Sequence, residues 1–479
     1  MTALDERIPP PLSTSSVPPA FCLPKGAHVH RRGVQRLVDS YRAIPAGQTV
    51  RLAKHTSNLF RPRVAATAQG LDVSGLGGVI SIDAATRTAD VEGMCSYENL
   101  VAATLAHGMM PLVVPQLKTI TLGGAVTGLG IESSSFRNGL PHESVLELEV
   151  LTGSGELVTA TPAGEHAALF AGFPNSYGTL GYAVRLKIEL EPVRPYVCLR
   201  HVRFADLDEL TAAIGSISGQ RCWDGAEVDF LDGVVFSAAE SYLTLGSWAD
   251  DVPAASDYTG PEIYYRSIRD RGRDALTAHD YLWRWDTDWF WCSRAFGAQH
   301  PVARRVWPAR YRRSDVYHRI VGLENRFHVA AWVDARRGRP PRERVVQDIE
   351  IPVERTADFL RWYLAHVPMT PVWVCPLRLR AGGVRPWSLY PLRAGATYVN
   401  AGFWGTVPIA PGRADGDVNR EIERRVADLG GHKSLYSDAY YGEQEFWAAY
   451  GGEAYPALKR RYDPDGRLLD LYAKAVQRR

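Results

Sequence analysis

No apolar run in this chain approaches the roughly 18 residues of a membrane-spanning helix, and no hydrophobic signal segment follows the first methionine. A chain that crosses a bilayer through a helix is thereby excluded. The expected location is the cytoplasm, at most peripheral at the inner membrane face. Cysteine is scarce and dispersed: Cys22, Cys95, Cys198, Cys222, Cys292 and Cys375 form no CxxC and no Cys/His cluster. That spacing argues against a zinc site and for reduced thiols. An excess of one charge sign is also missing. A formal net charge of +2 makes no global case for nucleic acid as a partner. The GxxxxGK[ST] spacing of a P-loop is absent, as is any internal repeat.

What the chain does have is a glycine-rich stretch, Thr119 to Gly139, reading TITLGGAVTGLGIESSSFRNG. Gly123, Gly124, Gly128, Gly130 and Gly139 stand among small and hydroxylated residues. An apolar strand-like run, Pro111 to Pro115, precedes it, and a second strand, Ser144 to Thr152, follows. Glycine lets the backbone come close to a ligand, and its N–H groups can cradle phosphate oxygens. A tight packed turn between strands is the plainer reading of the same residues.

The chain is long enough, at 479 residues, for two or three cores. Residues 1–27 carry IPPPLSTSSVPP and no apolar periodicity, so a disordered leader is expected. Val34, Leu37, Val38 and Tyr41 share one face of a helix predicted over Gly33 to Ile44. Thr49 to Ala53 reads as a short strand, followed by a loop Lys54-His55-Thr56-Ser57-Asn58 whose lysine and hydroxyls suit a phosphate. Two strands around Ile80 and Ala89, a helix from Tyr97 and a hairpin over 146–161 complete the first part. From about Arg194 the pattern becomes strands at 196–204, 227–236, 347–352 and 397–404. Helices at 206–217 and 354–366 accompany them, implying an antiparallel sheet with helices on one side.

TLGGAVTGLGIESSS, followed by Tyr177-Gly178-Thr179-Leu180-Gly181-Tyr182, resembles the FAD-binding domain of the vanillyl-alcohol oxidase/p-cresol methylhydroxylase flavoproteins. The phrase GIESSS is most similar to their delta-24 sterol reductase (Diminuto-like) branch, and RYDPDG near the C-terminus resembles the superfamily's closing phrase. The resemblance spans residues 30 to 475. It implies an α+β, two-domain fold of PCMH type: an FAD-binding domain over 28–194, then a substrate (cap) domain over 195–479 whose C-terminal segment returns to the flavin.

The resemblance also places FAD against Lys54, His55, Thr56, Ser57, Asn58, Thr121, Gly123, Gly124, Gly128, Ile131, Ser133, Ser134 and Gly181. The loop at 54–58 departs from its relatives in lacking glycines, and His55 lies where some of them bind flavin covalently. Two groups of candidate acids stand out. Glu132 sits inside the glycine segment, as a proton donor or as a hydrogen-bond partner of the cofactor. Tyr436 and Asp438, with Tyr440, would share one face of a strand.

The segment 281–313 interleaves Trp and Arg, reading either as a buried aromatic core with a basic tail or as a membrane-surface element. The implied reaction is reduction of an isolated carbon–carbon double bond through FAD, with NADPH as the donor. The arginine-rich, Ala/Gly-rich composition looks bacterial, and a bacterial branch resembling these reductases saturates the 10-methylene group of phospholipid acyl chains. A methyltransferase is then the implied partner. An FAD-dependent alcohol or sugar dehydrogenase or oxidase is the alternative, and a flavin-binding scaffold without turnover a third reading.

Overall fold

The computed structural model describes residues 24–54, 60, 70–327, 329–380, 387–390 and 392–477. Its first sheet contains β1 (Val79–Asp83), β2 (Thr88–Glu92), β3 (Met109–Pro111), β4 (Val145–Leu151), β5 (Leu157–Ala160) and β6 (Tyr182–Pro192). The long β6 is the hub, pairing antiparallel with β2, β3 and β4. Its inward residues Leu186, Ile188 and Leu190 are buried, as alternation in a sheet with one solvated face requires.

The second sheet begins at β7 (Tyr196–Phe204). A short ribbon, β8 (Cys222–Trp223) with β9 (Ala226–Glu227), stands apart from it. Then follow β10 (Phe230–Ser237), β11 (Glu240–Ala249), β12 (Arg273–Thr277), β13 (Arg342–Pro352), β14 (Val372–Leu377), β15 (Tyr398–Pro408) and β16 (His432–Lys433). The order is β12-β7-β11-β10-β14-β15-β13-β16, antiparallel throughout. This is the α+β architecture expected from the chain.

Period-two alternation gives the second sheet two different faces. Val372 and Val374, with Ile349 and Ile351, pack under the helices Leu207–Gln220 and Val353–His366. Trp373 and Cys375 point the opposite way, into the core shared with the first sheet. Asp348 and Glu350, out of phase with the isoleucines, belong to that second face. Asp206 starts its helix with side-chain bonds to the N–H groups of Asp208 and Glu209, a normal N-cap.

Several sequence expectations shift. The first helix runs Ala27–Ala43, earlier than its apolar face suggested, because Lys25 and Gly26 donate to the carbonyls of Val79 and Ile80 on β1. Residues 25–27, assigned to the leader from composition, are therefore tied to the sheet. Leu52 makes only an isolated bridge to Leu71 instead of a strand. The run Pro111–Pro115 is strand at its first residue only. Residues 434–442 are turn and irregular chain with one isolated bridge, Ser437 to Phe60, so Tyr436, Asp438 and Tyr440 do not share a strand face. Trp283, Trp285, Trp289, Phe290 and Trp291 are buried, so the aromatic part of that stretch, 283–291, is core. The five described cysteines are free, and no described helix is long and apolar enough to cross a membrane.

Candidate functional site

A cavity of about 550 Å³ lies between the two sheets, within the size range of ligand pockets. Its two ends differ chemically. One is walled by the glycine segment, from Thr121 to Ile131, and by Arg51, Lys54, Tyr177, Tyr182 and Lys474. The other is walled by Phe60, Trp289, Phe290, Trp373, Trp404 and Tyr436, with Asp348 among them.

At the first end the chain folds as a short helix, Leu122–Thr127. Thr121 caps it through Oγ1, accepting from the Gly124 N–H at 3.2 Å, and Lys54 Nζ donates to the same oxygen at 3.4 Å. Gly123 is required here by close approach: a Cβ would stand 2.6 Å from the Gly93 carbonyl oxygen. The N–H groups of Leu122, Gly123, Gly124 and Ala125 are all bonded within the protein, to Cys95, Gly93 and Thr121. The glycines of this turn therefore supply room, not a cradle of free amides. Positive charge comes from side chains instead, at Arg51, Lys54 and Lys474.

The aromatic end is held by strained backbone. Trp289 and Phe290 have φ of 46° and 58°, a left-handed conformation that bulky residues rarely adopt. Their N–H groups donate to Asp286 and Trp285 carbonyls at 3.1 and 2.8 Å. Phe60 stacks on Trp289 at 5.5 Å, and Phe290 lies 4.4 Å from Trp404 and 5.4 Å from Trp373, centroid to centroid.

Asp348 is the acid of this end. Desolvation pushes its carboxyl up to about 6, even though the Asn400 amide and the Tyr436 hydroxyl favour the ionised form. Asn400 Nδ2 donates to Oδ1 at 3.0 Å. Room for the carboxyl comes from Gly402, opposite on β15: a Cβ there would lie 2.5 Å from Asp348 Oδ1 and 2.6 Å from the Trp404 ring. Burial holds the Tyr436 phenol well above its usual range, so it stays protonated.

Of the residues selected from sequence, Lys54, Thr121, Gly123, Gly124, Gly128, Ile131 and Tyr436 meet around this cavity. His55, Thr56, Ser57 and Asn58 lie outside the described residues. Gly181 packs on Val150 and Leu151, one residue from Tyr182 of the lining. Ser134 Oγ donates to the Leu112 carbonyl at 2.9 Å, buried away from the cavity.

Glu132 is also elsewhere. It accepts from Arg284 Nη2 at 3.0 Å and from Ser133 Oγ at 2.6 Å, fully buried. Arg284 reaches Asp232 as well, at 2.9 Å, and Asp232 accepts the indole N–H groups of Trp285 and Trp373. Glu132 thus anchors the wall behind the cavity. Asp438 faces Arg344 at 3.5 Å and its carbonyl accepts from Lys433, again outside the lining. Asp348 escaped the sequence reading, although a signal was there: in QDIEIP, carboxylates at 348 and 350 alternate with isoleucines, so one strand face carries two acids.

The polarity of the cavity fits a dinucleotide beside an apolar substrate, with cations at the glycine end for a pyrophosphate and flat aromatic surfaces at the other. Gln116 Nε2 adds a buried donor on the lining without a partner among the described residues. Residues 35–161 match the family described as FAD binding domain. The chain is an FAD-dependent oxidoreductase. It is similar to the Delta(24)-sterol reductase of Rattus norvegicus, 26% identical over 411 residues, covering 83% of this chain and 75% of that one. The similarity to the Delta(24)-sterol reductase of Arabidopsis thaliana is 25% over 456 residues, covering 85% and 77%. Cytokinin dehydrogenase 10 of Oryza sativa subsp. japonica is 29% identical over 169 residues, 35% of this chain and 30% of its own.

Proposed function

We propose that this oxidoreductase reduces an isolated carbon–carbon double bond, with Asp348 as the proton donor. The observation that carries the reading is a carboxyl held near 6 in an otherwise aromatic cavity end. The name of the sterol reductase relatives supports the same class of chemistry.

An unconjugated alkene has no carbonyl to polarise it, so a proton must reach one carbon before or while hydride reaches the other. Bound, reduced FAD would supply that hydride and hence both electrons. Arg51, Lys54, Lys474 and the Thr121–Gly128 turn would hold it. Asp348 delivers the proton, since burial holds the Tyr436 phenol well above its usual range and leaves it the far weaker acid. Positive charge developing at the more substituted carbon meets the faces of Trp289, Phe290, Trp373 and Trp404. Each such contact stabilises a cation by about 0.5–2 kcal/mol. Aromatic walls also exclude the water that would trap the cation.

The substrate that suits these walls is the 10-methylene group of a phospholipid-linked acyl chain, which protonates to a tertiary cation and leaves as a 10-methyl branch. NADPH is the proposed electron source, and a methyltransferase would make the methylene. Lipid analysis of cells with and without the gene tests this: methylene-branched chains accumulate in its absence, and an unchanged fatty-acid profile rejects the substrate. An alcohol oxidation has one observation in its favour, because above pH 6 Asp348 is a carboxylate and a competent base. Product formed from a polyol or sugar without NADPH would select it.

A further inference from the structure

Among the described residues, the large apolar side chains that are more than two-fifths exposed all fall in one segment: Val302 (66%), Val306 (76%), Tyr311 (45%), Leu323 (57%), Phe327 (61%) and Trp332 (55%). Val302 and Val306 stand one turn apart on the helix Pro301–Val306, and Leu323 and Phe327 one turn apart on Ser314–Phe327. Scattered exposed apolar residues need no explanation, but a concentration of this kind marks an interaction surface.

The inner side of the same segment belongs to the cavity wall. Tyr317 is fully buried, and Ile320 and Val321 pack against the cluster that contains Trp289. The His318 ring lies 5.9 Å from Phe60 and 6.1 Å from Trp289, both residues of the cavity lining. One layer of helix therefore separates the aromatic end of the site from the exposed apolar face.

Charge identifies what covers it. Residues 301–339 hold ten arginines against three acidic residues, in a chain whose formal net charge is only +2. Arg304 is consumed inside, paired with Asp288, and Arg313 pairs with Glu98 and Asp315. Arg305 and Arg310 have no carboxylate partner among the described residues. Arg310 lies over the Tyr311 ring at 4.8 Å and Arg336 over Trp332 at 4.1 Å, so exposed aromatic bodies carry cationic tips. That combination suits the headgroup level of an anionic bilayer, where rings enter the acyl boundary and guanidinium groups stay with phosphate.

We propose that residues 301–327 and 329–339 form a docking face for an anionic membrane surface, set over the aromatic end of the cavity. It deepens the preceding reading by naming where a lipid substrate arrives. Membrane binding is measured here without turnover, so the two readings fail separately.

The experiment is co-sedimentation of the full chain with phosphatidylcholine vesicles, with and without phosphatidylglycerol, at low and high salt. The expected result is uptake by the phosphatidylglycerol vesicles that falls with salt, and little by phosphatidylcholine alone. Val306→Asp with Leu323→Asp lowers uptake, and Arg305→Glu with Arg310→Glu lowers it by about tenfold or more and flattens the salt dependence. All four positions lie outside the core, so melting temperatures stay at the wild-type value and separate lost docking from misfolding. Three results overturn the proposal: no uptake by phosphatidylglycerol vesicles, variants that bind as wild type, or an apolar-face variant that dissolves a dimer while vesicle uptake is unchanged.

Discussion

The Tyr436 hydroxyl oxygen accepts the Trp404 indole N–H at 2.8 Å. With its oxygen so engaged, the phenol presents its proton towards Asp348, whose ionised form it favours. Trp404 lies two residues beyond Gly402 on β15, and its ring shares with Asp348 the gap that glycine leaves. Acid, phenol and aromatic wall are therefore one interlocked unit.

The first consequence concerns pH. Protonated Asp348 is the donor, its carboxyl is raised to about 6, and turnover should fall as pH rises through that value. Asp348→Asn should keep flavin absorbance, lose the inflection and lower turnover by about 10²–10⁴-fold, the usual worth of a general acid. A steady-state pH profile of the flavin-loaded enzyme checks it. An inflection that survives in Asp348→Asn assigns the proton elsewhere.

Gly402→Ala should act on the same unit from the opposite strand. Its methyl group would press on Asp348 Oδ1 and the Trp404 ring, so one of them must move. The expected outcome is bound flavin with turnover reduced at least about tenfold, as small misplacements of reacting groups cost. Flavin content and turnover measured on the same sample decide it.

Arg284 should matter for stability more than its partners do singly. Arg284→Met leaves Glu132 and Asp232 buried together without a cation, which costs about 3–5 kcal/mol. Glu132→Gln leaves the Arg284–Asp232 pair intact and should cost only about 1–3 kcal/mol. Urea midpoints compare the two. A larger loss in Glu132→Gln than in Arg284→Met would reverse the order argued here.

His30 ties the first helix to the first sheet. Burial disfavours its charge, but the Glu149 carboxylate 4.0 Å away and a hydrogen bond with Glu92 outweigh that and raise it from 6.5 to about 9. A raised folded-state value means the imidazolium's contribution is complete below about pH 6.5 and is lost as pH climbs through about 9. It amounts to no more than about 3 kcal/mol. His30→Gln should flatten stability over that window, read by denaturant midpoints between pH 6 and 10.

Local pattern alone determined much of this protein. Strand alternation, the helices flanking the second sheet and the α+β class follow from periodicities of two and 3.6, which need no knowledge of distant contacts. The glycine run marked one wall of the cavity because close approach demands glycine wherever backbone meets backbone, as at Gly123 and Gly93. The acid could not be read the same way. Glu132 looked placed for chemistry by its neighbours in sequence, yet Arg284, 152 residues away, claims it. Asp348 looked like one strand carboxylate among many until Gly402, Asn400, Tyr436 and Trp404 closed around it. A carboxyl's proton affinity depends on what desolvates it and on what charge it meets, and both are supplied by residues remote along the chain. Only the tertiary structure brings them together.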